Sequence, residues 1–448
     1  MIPVADIIRL ANTTITTSNP IQTAQILGVY DAINNGGAAT VANVSSLPDA
    51  SLNKGRMFYV CDIGGYRYSD GLTWTNNFDT TLVSNQVYGF GSNVCGVIGT
   101  NGNIGGYYSV PVQEFTGANT WYSVTTSGSS TYAIKGDGTL WAWGRNDFGQ
   151  LGDGSYVNRY TPVQEYSQST NWCRVYNTGV TGIGIKSDGT LWSWGFGITG
   201  VLGDGTASTK CTPVQEYTGS TNWISAGATI DSVSAIKSDG TLWSWGQNTY
   251  GQLGDGTTVA KCTPTQESTL STNWCALSYG GSSISAIKTD GSLWSWGRNL
   301  YGQLADNTIV DKCTPTREVT SSSNWKCVSG VGNTMTAIKT NGTLWSWGYG
   351  LEGQIGNNSD ANRSSPVQEI TSSTTWCVVS GTKAIKKDGS LWAWGDNSCS
   401  QLGDGTITNR SSPVRESTLS NNWSSVSSAC LVTIGLKTVT TRGFFGQP

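Results

Sequence analysis

Through most of the chain, short runs of alternating apolar and polar residues are separated by glycine-rich breaks. The stretch "AIKSDGTLWSWG" (235–246) shows the rule. An apolar "AI" and a lysine lead into Asp-Gly, and then Leu and Ser alternate with two tryptophans. Alternation places both tryptophans on one face of a strand. Asp-Gly between two such runs is a strong hairpin signal, joining the "AIK" strand to the "LWSWG" strand. Two more strands are predicted at "PVQE" and at "NWxxV", separated by Ser/Thr-rich turns. Each unit therefore carries four short strands.

The unit repeats with a fixed beat. The first tryptophan of the Trp-x-Trp phrase recurs at Trp141, Trp192, Trp243, Trp294, Trp345 and Trp392, in steps of 51, 51, 51, 51 and 47 residues. A lone tryptophan recurs from Trp121 to Trp423, the lysine of "AIK" from Lys135 to Lys437, and the proline of "PVQE" from Pro111 to Pro413. Each of these three series has seven members. Four strands in a repeat of about 50 residues predict a mainly β fold, a seven-bladed propeller of four-stranded blades. Weaker copies of the Trp-x-Trp strand flank the array, "VYGFG" with Tyr88 and "GFFG" at 443–446. Strands from the two ends of this region are expected to complete one shared blade, which removes the open sheet edges.

The phrase "AIKSDGTLWSWGQNTYGQLGDGT" (235–257) resembles the repeat of the regulator of chromosome condensation family, over roughly residues 84–448. The resemblance implies a seven-bladed propeller, in agreement with the count. It implies little about activity, because such propellers include GTPase exchange factors, a plant ultraviolet receptor and a bacterial β-lactamase inhibitor. This chain also departs from the family pattern. It has no His-Ser or His-Thr pair before the "AIK" strands, no long wedge-like insertion, no basic tail, and no Gly-Trp-Arg-His-Thr phrase.

Composition narrows the chemistry. Of 448 residues only 12% are charged, the formal net charge is −3, and there is no histidine. That balance argues against nucleic acid as a partner. The missing histidine removes the commonest zinc ligand and the usual base of a nucleophilic triad. No catalytic constellation is found, so the chain is read as non-enzymatic, with no cofactor and no metal. No apolar run is long enough to span a membrane, and "MIPVADIIRLANTT" does not read as a secretory signal. Of the 11 cysteines, Cys211, Cys262 and Cys313 sit 51 residues apart and Cys173, Cys275 and Cys377 each follow a tryptophan in alternate units; the cysteines are read as reduced, mostly buried thiols.

Four repeated features are candidate sites. The Trp-x-Trp pairs are assigned to packing between blades, since a regular copy suits a regular need. In "LGDG", Asp153, Asp204, Asp255, Asp306 and Asp404 are each followed six residues later by Lys or Arg, so a local salt bridge accounts for them without calcium. The "AIK" lysines and the "PVQE" glutamates read as blade-level pairs or solvated edges. The loops after "WG" differ among copies ("RNDFGQ", "QNTYGQ", "RNLYGQ", "YGLEGQ"). Arg145, Phe148, Tyr250, Arg298, Tyr301 and Tyr349 are accordingly the candidate recognition rim.

The chain is divided into a helical anchor (1–38), a small β module (39–80) and the propeller (81–448). Residues 18–37 read as a helix whose apolar stripe includes Ile21, Ala24, Ile26, Leu27, Tyr30 and Ile33 and needs a partner. Residues 44–77 resemble segments of bacteriophage tail-fibre proteins. This layout points to a structural protein on a virion surface, made in the host cytoplasm. Residues 1–80 would attach it to other virion proteins or to sister chains, with a trimer favoured, and the propeller would bind a host-surface glycan or protein or decorate the particle, as in a tail fibre, head fibre or capsid decoration. The alternative is a cellular propeller acting as a protein-binding regulator or inhibitor.

Overall fold

The computed structural model describes residues 40–41, 57–60, 65–69, 74–75 and 81–442, except 103 and 230. The expected anchor helix and the "GFFG" copy lie outside the described residues. The chain forms two units, Met1–Asn85 with Thr438–Pro448, and Gln86–Lys437. In the first, Thr40–Val41, Met57–Val60, Gly65–Ser69 and Trp74–Thr75 form a four-stranded sheet in that order. Its first pair is parallel and the others are antiparallel.

Seven four-stranded sheets follow, the blades expected from the repeat. Blade 1 comprises Trp121–Thr126, Ser130–Lys135, Leu140–Gly144 and Arg159–Gln164. Blades 2 to 6 repeat this order, starting at Trp172, Trp223, Trp274, Trp325 and Trp376. Blade 7 takes Trp423–Ser428 and Val432–Arg442 from the end of the array and Thr81–Ser92 and Tyr107–Gln113 from its start. The shared closing blade is therefore present, with "VYGFG" as its third strand. First strands of neighbouring blades meet, which places them innermost. Among the described residues the one helical element is the 3-10 turn Val94–Gly96.

The second and third strands are joined by the Asp-Gly turn. In blade 1, Asp137 Oδ1 accepts from the Thr139 N–H at 3.0 Å and from its hydroxyl at 2.6 Å. Gly138 has φ +78°, and a Cβ there would lie 2.1 Å from the Thr170 carbonyl oxygen of the segment entering blade 2. Only glycine permits that approach, and the Gly138 carbonyl then accepts the Trp172 N–H at 3.0 Å.

Seven buried clusters hold the ring. The junction of blades 1 and 2 is typical: Ile134, Leu140 and Leu151 pack with Trp172, Val175 and Trp194. The two tryptophans of a Trp-x-Trp phrase have separate tasks. The second is fully buried, and its indole N–H crosses to a carbonyl of the preceding blade. Trp194 donates to Gln150 O at 2.9 Å, Trp245 to Val201 O at 2.9 Å and Trp296 to Gln252 O at 3.1 Å. The first is half-buried and lies under a lysine. Lys186 Nζ stands 4.4 Å from the Trp192 ring centre and 4.7 Å from that of the lone Trp172.

The glutamates of "PVQE" are neither solvated nor directly paired with those lysines. Glu165 is buried. It accepts the Ser167 N–H at 2.7 Å, the Ser169 N–H at 2.8 Å and the Trp172 indole N–H of the next blade at 3.2 Å. Lys186 reaches it through Ser169, whose hydroxyl accepts from Nζ at 3.0 Å. The cysteines also differ from expectation. All ten described are free thiols, but each is half-buried or exposed.

Two substitutions test these junctions. Trp245→Phe keeps a smaller aromatic ring and strands the buried Val201 carbonyl, so denaturant unfolding should show a loss of at least about 1–3 kcal/mol, with lost packing adding to it. Glu267→Gln replaces one acceptor oxygen by a donor facing N–H groups, and a loss of roughly 2–3 kcal/mol is expected. Wild-type stability in either variant would show that the junctions rest on apolar contact alone.

Candidate functional site

The two ends of the propeller are built differently. One carries the Asp-Gly turns and the lysine–tryptophan stacks. The other carries the loops after Trp-Gly and the turns between first and second strands. Hydrogen bonds tie these last two sets together: Arg145 N donates to Ser129 O at 2.9 Å, Gln247 N to Asp231 O at 2.7 Å and Tyr349 N to Asn333 O at 3.0 Å. All six rim candidates therefore lie on one face.

The loops after Trp-Gly are not free of packing duties. Asn146 is fully buried. Its Nδ2 donates to Asp153 Oδ1 at 3.1 Å and to the Ser155 and Val157 carbonyls at 3.0 and 3.2 Å, and its Oδ1 accepts the Leu151 N–H at 2.9 Å. Asn248, Asn299 and Asn397 repeat this hub. Gln150, also buried, accepts the Phe148 N–H at 2.8 Å. In these four blades the anchors are kept and variation falls on the other residues of the loop.

Four of the five aspartates of "LGDG", all but Asp204, are engaged in the same hubs. Salt bridges across the turn form at Arg159–Asp153 (2.9 Å), Lys261–Asp255 (4.0 Å), Lys312–Asp306 (3.7 Å) and Arg410–Asp404 (2.8 Å). Burial alone would raise the Asp153 carboxyl, but hydrogen bonds from Ser155 and Arg159 outweigh it and hold the group below its usual range. No such bridge joins Asp204 to Lys210 among the described residues, and in blades 2 and 5 the hub asparagine is replaced by Gly197 and Gly350.

On this scaffold the rim residues meet across blade junctions. Phe148 packs edge-on against Phe196 at 5.2 Å between ring centres. The Arg298 guanidinium lies 5.0 Å from the centre of the Tyr250 ring. Tyr301 meets Tyr349 edge-on at 5.2 Å. Arg145 stands 5.7 Å from the Phe148 ring and pairs with Asp147 at 2.6 Å. At the centre of the face is a cavity of about 330 Å³, lined by Thr126, Asn177, Asp231, Tyr279, Ser428 and Cys430 among others. Burial raises the Asp231 carboxyl there.

Comparison with known proteins follows this geometry closely. Two models described as the regulator of chromosome condensation repeat match residues 121–150 and residues 137–175, 239–287, 290–336, 341–380 and 388–434, together just over half of the chain. The chain belongs to that repeat family. The ultraviolet-B receptor UVR8 of Arabidopsis thaliana is 28% identical over 255 residues, 55% of this chain and 57% of the receptor. The human E3 ubiquitin-protein ligase HERC2 is 28% identical over 238 residues, 50% of this chain and 5% of the ligase. The chain thus spans less than two thirds of either protein. Among solved structures, Prp20p of Saccharomyces cerevisiae superposes with a TM-score of 0.70 at 18% identity, covering 80% of this chain and 92% of Prp20p. Human WBSCR16 gives 0.68 at 19% identity, covering 79% of this chain and 99% of WBSCR16. These two likenesses concern the fold.

Within the family phrase Trp-Gly-x-Asn-x-x-Gly-Gln, the asparagine and glutamine are structural and the x positions carry the rim. The rim reading missed Phe196, Leu300, Ile309 and Val310 on the same face. Aligning "NTIVDK" with the matching segments of the other copies would have exposed the Ile-Val pair.

One buried group below this face departs from its equivalents. Lys383 sits opposite Ala393, where other blades place Tyr132, Ile183 or Ser234. It is 2% exposed, and its Nζ donates to Thr382 Oγ1 at 3.0 Å. Burial lowers its pKa to about 8, against smaller opposing effects of Cys430 and Asp396. The folded value lies below the ordinary lysine value. The group's contribution to stability is therefore complete above about pH 10.5 and is lost as pH falls through about 8. Lys383→Ile should be more stable than wild type by about 3 kcal/mol at pH 7, with the difference shrinking between pH 8 and 10. Denaturant melts at several pH values check this, and a pH-independent difference would contradict it.

Proposed function

We propose that this propeller is a non-catalytic, protein-binding regulator that engages its partner through the face carrying the loops after Trp-Gly. The observation that carries the reading is the set of ring and guanidinium contacts at three blade junctions. Tyr and Arg are among the residue types that carry most binding energy at protein interfaces, and Phe is enriched there with them. Phe148, Tyr250, Arg298 and Tyr301 sit on loops already fixed by buried Asn and Gln hubs, so little conformational entropy opposes binding there. The cellular relatives, a light receptor and a ubiquitin ligase, favour a regulatory role over a structural one. They lend no support to a place on a virion, and the anchor segment 1–38 on which that reading rests lies outside the described residues.

The test places a photo-crosslinking amino acid at Phe148 or Tyr349 on this face, and at Asp239 in the Asp-Gly turn of the opposite face, in cells that make the protein. Partner adducts are expected from the first two positions and not from the third. Equal labelling at all three, labelling confined to Asp239, or none at all would overturn the assignment.

A further inference from the structure

The loops after Trp-Gly form a comparison set inside one molecule, because the same turn carries different side chains in each blade. Among the residues that follow Trp-Gly, only Arg145 and Arg298 are cationic. Arg145 is neutralised by Asp147, two residues on, at 2.6 Å. The matching position after Arg298 is Leu300, and no carboxylate lies within 4 Å of the Arg298 guanidinium among the described residues. The guanidinium rests instead against the Tyr250 ring of the neighbouring blade. Such a contact fixes an arginine while leaving its N–H groups free to donate.

Arg298 also borders a hollow of about 560 Å³ lined by Tyr250, Leu300, Ile309, Val310 and Asp311. Leu300, Ile309 and Val310 are 50%, 65% and 59% exposed. Three large apolar side chains open to solvent around one concavity mark an interaction site. The walls are preformed. Asn299 donates its N–H to Asp311 Oδ1 at 2.7 Å and its Nδ2–H to Val310 O at 3.2 Å. None of the other copies combines an unpaired arginine with this apolar group. Blade 1 has the paired Arg145, blade 5 places Tyr349 there, and blade 6 places Asp396.

We infer that this hollow between blades 3 and 4 binds an extended peptide segment of the partner in which a large apolar side chain stands beside one carboxylate. The apolar side chain seats against Leu300, Ile309 and Val310. The carboxylate accepts from the Arg298 fork, the geometry in which arginine holds carboxylates best. Asp311 has one oxygen engaged by Asn299. Its other oxygen is placed for a backbone N–H of the ligand and disfavours a run of acids, so the preference is for a single acidic residue. The inference rests on the proposed binding face.

An immobilised array of short peptides, with two adjacent positions running over all amino acids, is probed with the full chain. Binding should be strongest with Leu, Ile or Phe followed by Asp or Glu. Arg298→Gln should reduce the preference for the carboxylate roughly tenfold and keep the apolar preference. Ile309→Ser with Val310→Ser should abolish the apolar preference, and Arg174→Gln, at an exposed arginine outside the rim, should change neither. Thermal melts confirm that each variant is folded. No sequence preference, or a preference indifferent to Arg298→Gln, overturns the inference. If crosslinking at Phe148 and Tyr349 persists in that case, only the hollow is wrong. If it is lost as well, the face assignment falls with it.

Discussion

Six of the seven blades depend on a neighbour through a buried polar contact inside an apolar junction, the indole N–H of one blade reaching a carbonyl of the blade before it. A buried carbonyl without a partner carries a penalty large enough to matter. The second tryptophan of each phrase therefore supplies both apolar area and the required donor. The lone tryptophan does the same for the buried glutamate, and its ring face is shared by the lysine. Apolar surface, a carboxylate and an ammonium are thus satisfied around one indole, seven times over. Because the contact always runs to the next blade, no blade is complete alone, and closure of the ring is required.

The closing blade shows which part of the device is indispensable. Phe90 stands where the buried tryptophan would be and has no N–H to give. The Gln401 carbonyl of blade 6 is served instead by the Thr433 hydroxyl of blade 7 at 3.0 Å. Tyr88 replaces the half-buried tryptophan, and Lys437 still lies between two rings, 4.9 Å from Tyr88 and 4.6 Å from Trp423. The aromatic identity changes while the satisfied carbonyl and the sandwiched cation are retained. Hydrogen-bond satisfaction constrains this position at least as tightly as volume does.

The blade number, the strand order and the shared closing blade were legible because each rests on a feature present in every copy. Trp121, Lys135 and Pro111 and their counterparts mark the same three places seven times, and no single deviation can hide them. The glutamates were misread for a related reason. Their spacing is visible in sequence, but burial depends on the hydroxyl and amide donors that follow, such as Ser167 and Ser169 after Glu165. The candidate site was legible only as a region. Arg145 and Arg298 occupy the same position of the same phrase, and what separates them is Asp147 against Leu300 two residues later. Ile309 joins Leu300 only once the loop has folded back on itself. Lys383 was invisible because a lysine within "TKAIKK" reads as polar until its register places it opposite Ala393.

A repeat architecture therefore divides its information unequally. Residues common to all copies specify the ring, and substitutions there meet the same penalties seven times. Residues that differ between copies sit on loops whose backbone the common residues already hold. Each can change without disturbing the fold, and each change has its own address on the face. The hubs are not uniform, however. Blades 3 and 4 keep Asn248 and Asn299, whereas blades 2 and 5 have glycines where a Cβ would lie 2.1 Å from Ser208 O or 2.4 Å from Ala361 O. Those two loops have no room for the asparagine, and in blade 5 Asn357 Oδ1 and Arg363 Nε have no hydrogen-bond partner among the described residues. The hubs of blades 3 and 4 stand side by side under Tyr250 and Arg298, so a stretch of the face fixed before a ligand arrives also carries an unneutralised cation. Preorganisation and chemical individuality coincide there for a physical reason. A guanidinium laid against a ring on a fixed backbone keeps its N–H groups free to donate and gives up little freedom when it binds.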